Sequence, residues 1–490
     1  MAIDIDLSAI PKPEAVTTLA QAREVIALQA VVIEQFLTVV KELEGRTETL
    51  EAQLAKNSRN SSKPPSSDGY KKPKPKSQRS KSGRNSGGQK GHKGQTLEQV
   101  AHPDEVVSHE VHQCDHCGHC LRHQLAYDYE CRQVFELPRI KIRVIEHRGE
   151  IKECPHCERR VKAPFPDSVG QPVQYGQRFK ATVTYFSQYQ LLPYQRLQEV
   201  LGDLFHVEMS QGTIRNILRQ SHQSLEPFED RVKARLIEAE CVHFDETGLR
   251  LGKKLHWLHV ASTQGLTHYL IHPKRGLEAT QAMGILPQFC GRAIHDHWRA
   301  YYHYDCDHGL CNAHHLRELT HAEEQYQQHW AGRLKACLLD AKSEVDAAQE
   351  RGESELSAWR LNYHQRRYSR ILRQGRAGLP VIAPSTNAKG RKRKKQHPAK
   401  NLHDRLAKHK REALAFLYDF SVPFDNNQAE RDIRMAKVKQ KISGCFRSED
   451  GAAAFARIRS YISTAKKQAQ NVLDILTDAF EGQPFFPASS

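Results

Sequence analysis

Apolar residues recur at every seventh position near the start of the chain, across residues 15–56. Leu19, Ile26, Ile33, Val40 and Leu54 carry the repeat, which only Thr47 interrupts, and Ala22, Gln29, Phe36, Leu43 and Leu50 fill the companion positions. Such a repeat predicts one long helix with a coiled-coil seam, since a partner helix buries both rows together. From Asn57 to Gln95 the pattern vanishes. Ser, Gly, Pro and Lys dominate there, and the nine Lys or Arg between Gly69 and Gln95 have no acid among them. A segment so poor in apolar surface reads as a flexible basic linker, with Lys90 and Lys93 available to phosphates.

Helical spacing returns over residues 172–225. One helix is expected at Leu191–Phe205 and another at Gln211–Gln220, with Ser210 as the N-cap. The pair reads as a helix-turn-helix that presents Thr213, Arg215 and Asn216 on the leading turn of a recognition helix. Between 238 and 310 the character changes to strands. Val242–Asp245, Leu255–Ala261 and Thr267–His272 are antiparallel candidates, followed by Ala293–His295. Residues 311–422 are again helical, as in Glu323–Gln349 and His403–Asp419, around the basic loop Lys389–Lys395, and Ala452–Phe480 closes the chain.

At 490 residues, two to four domains are expected. The net charge of +16 favours a polyanionic partner, nucleic acid first. No apolar run approaches the roughly 20 residues of a membrane span, and the acidic N-terminus has no apolar core of its own. A cytoplasmic, nucleoid-associated protein without a membrane partner is therefore expected, its 12 cysteines free to be thiols or metal ligands. Cys114-x-x-Cys117 and Cys154-x-x-Cys157, with 36 residues between the pairs, supply four thiolates for one structural Zn²⁺. Strands at Tyr127–Glu136 and Ile140–His147 are expected to form the hairpin between them. Cys120, Cys131, His116 and His119 lie close enough in sequence to compete as ligands, and a redox pair is the weaker alternative.

Three acids carry the candidate chemistry. Asp245 ends the strand Glu240–Phe244 within HFDETGLR, and Asp296 ends the short apolar strand within RAIHDHWRAY. Glu430 follows Asn426-Asn427, which cap a helix in PFDNNQAERDIR. Two strand-end Asp and a helix-borne Glu can converge on two Mg²⁺ (or Mn²⁺) ions about 3.5–4 Å apart and cut phosphodiester bonds. Asp245 is the natural bridging ligand, and Asp305 or Asp307 could replace Asp296. Glu430 and Arg434 could instead be a plain surface ion pair. If Glu430 is a ligand, Arg431, Arg434 and Lys437 on the same helix are placed to meet DNA phosphates.

Several motifs together resemble the IS66-type insertion-sequence transposases. They are Leu54–Asp68 (LAKNSRNSSKPPSSD), Gly87–Thr96 (GGQKGHKGQT), the two CxxC pairs, FDET at Phe244–Thr247, CNAHHLREL at Cys311–Leu319, and the segment Asp425–Ser448. The resemblance implies a DDE triad, matched here by Asp245, Asp296 and Glu430, on a ribonuclease-H-like core. The fold expected is a multidomain α/β chain: a coiled-coil helix at 1–56, a basic linker at 57–100, a zinc-binding module at 101–166, and helix-turn-helix-like helices at 167–235. The core then occupies 236–310 and 423–490, with a helical insertion at 311–422. The function implied is that of a DNA transposase acting on terminal inverted repeats and target DNA as a homodimer or higher oligomer, with accessory proteins of the same element as further partners. A zinc-containing DNA-binding regulator and a nuclease that cuts without joining are the alternatives. Some DDE transposases place a CxxH, like Cys311 and His314, at the start of their inserted domain, and a structural role is expected for it. His315 and Arg317 read as phosphate contacts.

Overall fold

The structure, a computed structural model, describes residues 16–57, 60–61, 96–380, 385–386, 392–393 and 396–488. It is a mixed α/β chain, and among the described residues no helix is long and apolar enough to cross a membrane. The basic linker and the loop at 389–395 lie largely outside the described residues.

The first helix, α1 (Leu19–Leu54), runs unbroken for 36 residues. Thr18 opens it with a capping box: its side chain accepts the Gln21 N–H, while the Gln21 side chain accepts the Thr18 N–H. Near its other end, Ala52 is buried against the helical insertion described below. The seven-residue stripe is bare by contrast, with Ile26 64% and Ile33 58% exposed.

The two strands expected at 127–136 and 140–147 do not form. The hairpin is instead β1 (Ile151–Glu153) with β2 (Arg160–Lys162), and it encloses the second cysteine pair. Val134 and Val144 stay exposed. Among the described residues no second layer lies over them, and a lone hairpin without one is marginal in water.

The core begins with α2 (Gln177–Thr184), which continues as a π-helical turn through Tyr189. The expected helix pair follows as α3 (Tyr194–Phe205) and α4 (Gln211–Ser224). His206 leaves α3 in the left-handed conformation, and Ser210 caps α4 by accepting the Thr213 N–H. After α5 (Glu226–Ile237) come β3 (Cys241–Leu251), β4 (Lys254–Ser262) and β5 (Thr267–His272), an antiparallel meander. Then α6 (Leu277–Met283) crosses to β6 (Arg292–His295) and β7 (Asp307–Leu310). Both join in parallel on the far side of β3, giving the order β5-β4-β3-β6-β7. β7, sequence DHGL, has too few apolar residues to announce itself.

A helical insertion with its own apolar core follows. It comprises α7 (Asn312–Tyr326), α8 (His329–Glu350), α9 (Ala358–Gly375), α10 (Pro398–Lys408) and the short α11 (Lys410–Ala413) and α12 (Ala415–Tyr418). The single helix expected over 323–349 is broken, because Gln327 turns left-handed at φ 51°. Two ties hold the insertion's ends together: the Asn312 N–H donates to Phe424 O at 3.0 Å, and Asn312 Nδ2 donates to Ala413 O at 2.9 Å.

The chain returns to the sheet with α13 (Asn427–Ser443), α14 (Glu449–Lys467) and α15 (Val472–Phe480). Val242, Phe244 and Ala293 pack on one face against α2–α5, α14 and α15. Leu249, Leu258 and Val260 pack on the other, against Ala429 and Ile433 of α13. α14 also covers the β5 edge, where Thr464 Oγ1 and Ser460 Oγ accept the Thr267 and Tyr269 N–H groups.

Candidate active site

Asp245 does not end its strand. It lies within the 11-residue β3, where β4 stays paired but β6 has diverged. The last parallel pair is His243↔Ile294, and Asp245 and Asp296 each stand two residues beyond it. Period-two alternation puts the Asp245 carboxylate on the His243 face of β3, and Asp296 follows directly on the last residue of β6. Asp305 is exposed, and Asp307 faces Arg292 (2.9 Å) at the opposite end of the β6–β7 pair. Of these three acids, only Asp296 stands beside Asp245.

Its neighbour Glu246 has the opposite orientation and other duties. Its carboxylate accepts from Arg275 Nε (2.8 Å) and from Tyr301 Oη (2.5 Å), while Arg275 stacks over Trp257 and Trp298. The DET sequence thus places one carboxylate in a bound network and leaves the other available.

Glu430 reaches the same face on the first turn of α13. The element that positions this helix is Asn426, 1% exposed. It occupies the N-cap position, but its side chain makes no cap bond. Its amide instead spans to β3: Nδ2 donates to Phe244 O (2.8 Å), Oδ1 lies 2.8 Å from His243 Nδ1, and its backbone N–H donates to Cys311 Sγ (3.1 Å). Asp425 caps the helix in its place, accepting the Asn427 N–H at 3.0 Å. Sequence reasoning saw only a cap at Asn426, because nothing local reveals a bond to a strand some 180 residues away.

The Glu430–Arg434 surface pair does not form. Glu430 Oε1 lies 3.3 Å from Arg317 Nη2 and 3.7 Å from His314 Nδ1. His314 Nδ1 is also 3.2 Å from Cys311 Sγ. Among the described residues, Cys311, His314 and Glu430 form the one group of three His, Cys, Asp or Glu whose ligand atoms all lie within 4.8 Å of one another.

Electrostatics marks the acids out. Burial pushes the Asp245 carboxyl well above its ordinary value, and the charges of Glu246, Asp296 and Glu430 push the same way. Burial, with the charge of Glu246, raises Asp296 to about 6. Asp245 accepts the Glu246 N–H and Asp296 the Trp298 N–H; among the described residues neither forms an ion pair, although the charge of Arg275 acts to lower Asp296. Crowded acceptor-only carboxylates are hard oxygen donors of the kind that hold divalent cations.

The four sequence-expected thiols form two matching turns. Gly118 N–H donates to Cys114 O and Cys114 N–H to His119 O, while Glu158 N–H donates to Cys154 O and Cys154 N–H to Arg159 O. Hydrogen bonds from the Cys117 and His116 backbone lower the Cys114 thiol, and those from His156 and Cys157 lower Cys154. The structure does not bring the two pairs into one four-ligand set.

Arg215 and Asn216 lie on the exposed face of α4, and Arg431 and Arg434 on the exposed face of α13. Lys437, expected to meet phosphate, is half-buried and donates to Gly248 O at 2.6 Å, so it ties α13 to β3. Lys90 and Lys93 lie outside the described residues.

The model of a family described as Transposase IS66 family matches residues 172–454, more than half of the chain. A second, described as a family of unknown function, matches residues 6–98. No curated protein matches.

Proposed function

Because the chain belongs to the IS66 family of transposases, we propose that it binds the terminal inverted repeats of an insertion sequence and, with Mg²⁺, cuts and rejoins DNA strands at a DDE site of Asp245, Asp296 and Glu430. One observation carries this reading. Asp245 and Asp296 each stand two residues beyond the last β3–β6 pair, neither is held in an ion pair among the described residues, and Asn426 fastens the Glu430 helix to β3. The strand order β5-β4-β3-β6-β7 supports a ribonuclease-H-like core, with the insertion between β7 and α13.

Asp245, flanked by the other two, would be the shared ligand of two Mg²⁺ ions, with Asp296 and Glu430 each on one. Metal so held supplies charge stabilisation to the attacking and leaving oxygens of phosphoryl transfer. The chain's own groups do the positioning. Arg431 and Arg434 face phosphates beside the site, and Arg215 and Asn216 enter a groove from α4. The paired CxxC turns, each already folded, suit one structural Zn²⁺ if they approach one another. The bare stripe of α1 suits a second copy of the chain.

The test is direct. The protein is incubated with labelled element ends and Mg²⁺, and nicked ends and strand-transfer products are expected. Nicks that are never joined would make it a nuclease; binding without nicks would make it a regulator.

A further inference from the structure

The CxxH that opens the helical insertion is half a metal site by sequence, and the fold supplies a third ligand. Cys311 is the N-cap of α7, 1% exposed, and His314 stands three residues on, in the first turn. Glu430 approaches from α13, across the junction where the insertion leaves and rejoins the core. His314 Nδ1 lies 3.2 Å from Cys311 Sγ and 3.7 Å from Glu430 Oε1. Ligands about 2.0–2.3 Å from a tetrahedral zinc ion stand roughly 3.3–3.6 Å apart, so both distances from His314 are close to what one ion demands, and the Cys311 and Glu430 ligand atoms lie within 4.8 Å of each other.

One backbone contact suits a metal-bound sulfur, although burial pushes the free Cys311 thiol up. The Asn426 N–H donates to Cys311 Sγ at 3.1 Å, the kind of outer hydrogen bond that stabilises a metal-bound sulfur. The Cys311 N–H is in turn held by His295 O at 3.0 Å, which fixes the ligand's backbone. Arg317 shares Glu430 Oε1 at 3.3 Å, but its Nε also donates to Ala313 O at 3.2 Å. It can therefore release the carboxylate and keep its place.

We propose that Cys311, His314 and Glu430 form a zinc site that shares its carboxylate with the catalytic centre, so that bound zinc withholds Glu430 from Mg²⁺. The ligand set decides the metal. Thiolate and imidazole select a borderline-soft ion such as Zn²⁺ and suit Mg²⁺ poorly, whereas the Asp245–Asp296 side of the site offers only hard oxygens. Binding releases the Cys311 proton to solvent, and no redox step is involved. Zinc then acts as a brake that chelation releases. The braking half rests on the proposed transposase reading; the binding half does not.

The experiment separates the two. Zinc content of the full chain is measured by atomic absorption after dialysis against limiting zinc, for the parent and for Cys154→Ser, Cys311→Ser, His314→Ala and Glu430→Gln. Cys154→Ser removes the other thiol site from the count. In that background, Cys311→Ser and His314→Ala are each expected to abolish the remaining zinc, along with the absorption of the Co²⁺-substituted protein, and Glu430→Gln to weaken retention at least tenfold. Unchanged zinc and unchanged Co²⁺ spectra in both the Cys311 and the His314 variants would overturn the site; using two variants guards against one that fails to fold. For the brake, cleavage at fixed Mg²⁺ is compared with and without zinc. At least a tenfold loss is expected in the parent and a ratio near one in His314→Ala. Zinc bound at the site without inhibition would overturn the sharing of Glu430. Should no protein cleave DNA at all, the transposase reading fails, and the zinc measurements still decide the site.

Discussion

Ile33 in α1 and Ile294 in β6 are the same residue in opposite circumstances: the first is 58% exposed, the second 0%. The contrast extends over whole regions. From α2 to α15 most apolar side chains are buried by the chain itself, in clusters on both sheet faces and inside the insertion. Along α1 and through residues 96–166 they are mostly bare. Burial gives about 25 cal/mol per Å² of apolar surface, so the first region draws far more stabilisation from its own packing than the second. Asp245, Asp296 and Glu430, the proposed catalytic acids, lie in the first part. The bare stripe of α1 and the cysteine turns lie in the part whose apolar side chains stay exposed within the chain.

The sharpest break in the comparison should come from the acids. Asp245→Asn, Asp296→Asn and Glu430→Gln are each expected to lower cleavage of labelled ends about 10³-fold or more, equivalent to about 4 kcal/mol of barrier, while binding to those ends persists. Retained cleavage in Asp296→Asn would return the role to Asp305 or Asp307, despite their place at the far end of the sheet. Full activity in Glu430→Gln would remove the triad.

How much of this was legible follows the same divide. The heptad stripe, the α3–α4 pair and four of the five core strands are periodic and local, and the sequence carried them. Asp245, Asp296 and Glu430 were legible as acids next to apolar runs, although Asp245 proved to lie within a long strand. What stayed hidden was non-local. The crosslink from Asn426 to His243 and Phe244, the diversion of Lys437 to Gly248, and the meeting of Glu430 with Cys311 and His314 all join distant segments. No periodicity encodes such contacts. β7 was missed for another reason: parallel pairing with β6, and not composition, makes it a strand.

The cysteine turns offer the next break. Chelation, or Cys154→Ser, is expected to unfold residues 101–166 locally, since a structural zinc would supply most of that segment's folding free energy, about 10–16 kcal/mol in small zinc modules. Limited proteolysis should then cut within 96–166 while the fragment from residue 172 onward survives. Equal resistance of both regions after chelation would show that the segment does not depend on metal.

A smaller effect is expected at α1. Replacing Ile26 and Ile33 by Lys removes two seam positions, each contributing about 1.5–3 kcal/mol when fully buried between helices. Both are exposed within the chain, so the protomer should stay folded. Light scattering should show the parent as a dimer or larger and the variant shifted toward monomer. A monomeric parent would leave the stripe without its proposed occupant.

The smallest predicted effect tests the buried Asp296 carboxylate, and its sign follows from linkage. Asp296 binds its proton more tightly in the folded chain, at about 6, than at its ordinary 3.8. Between those values the folded state carries more protons than the unfolded one, so raising the pH costs stability. The metal-free protein should be most stable, as far as this group is concerned, below about pH 4, and should lose that contribution as pH climbs through about 6. A shift of about two pKa units corresponds to roughly 3 kcal/mol, and partial exposure of the group brings the expectation to about 1–2 kcal/mol. Asp296→Asn has no charge to bury, and its amide oxygen can still accept the Trp298 N–H that Asp296 accepts at 3.0 Å. Urea unfolding without divalent metal should therefore find the variant more stable than the parent at pH 7 by about that amount, with the gap closing at pH 4. Adding Mg²⁺ at pH 7 should stabilise the parent and leave the variant nearly unmoved. A gap of the same size at both pH values would mean that Asp296 titrates alike in the folded and unfolded chain, and that its crowding beside Asp245 and Glu246 has no energetic consequence.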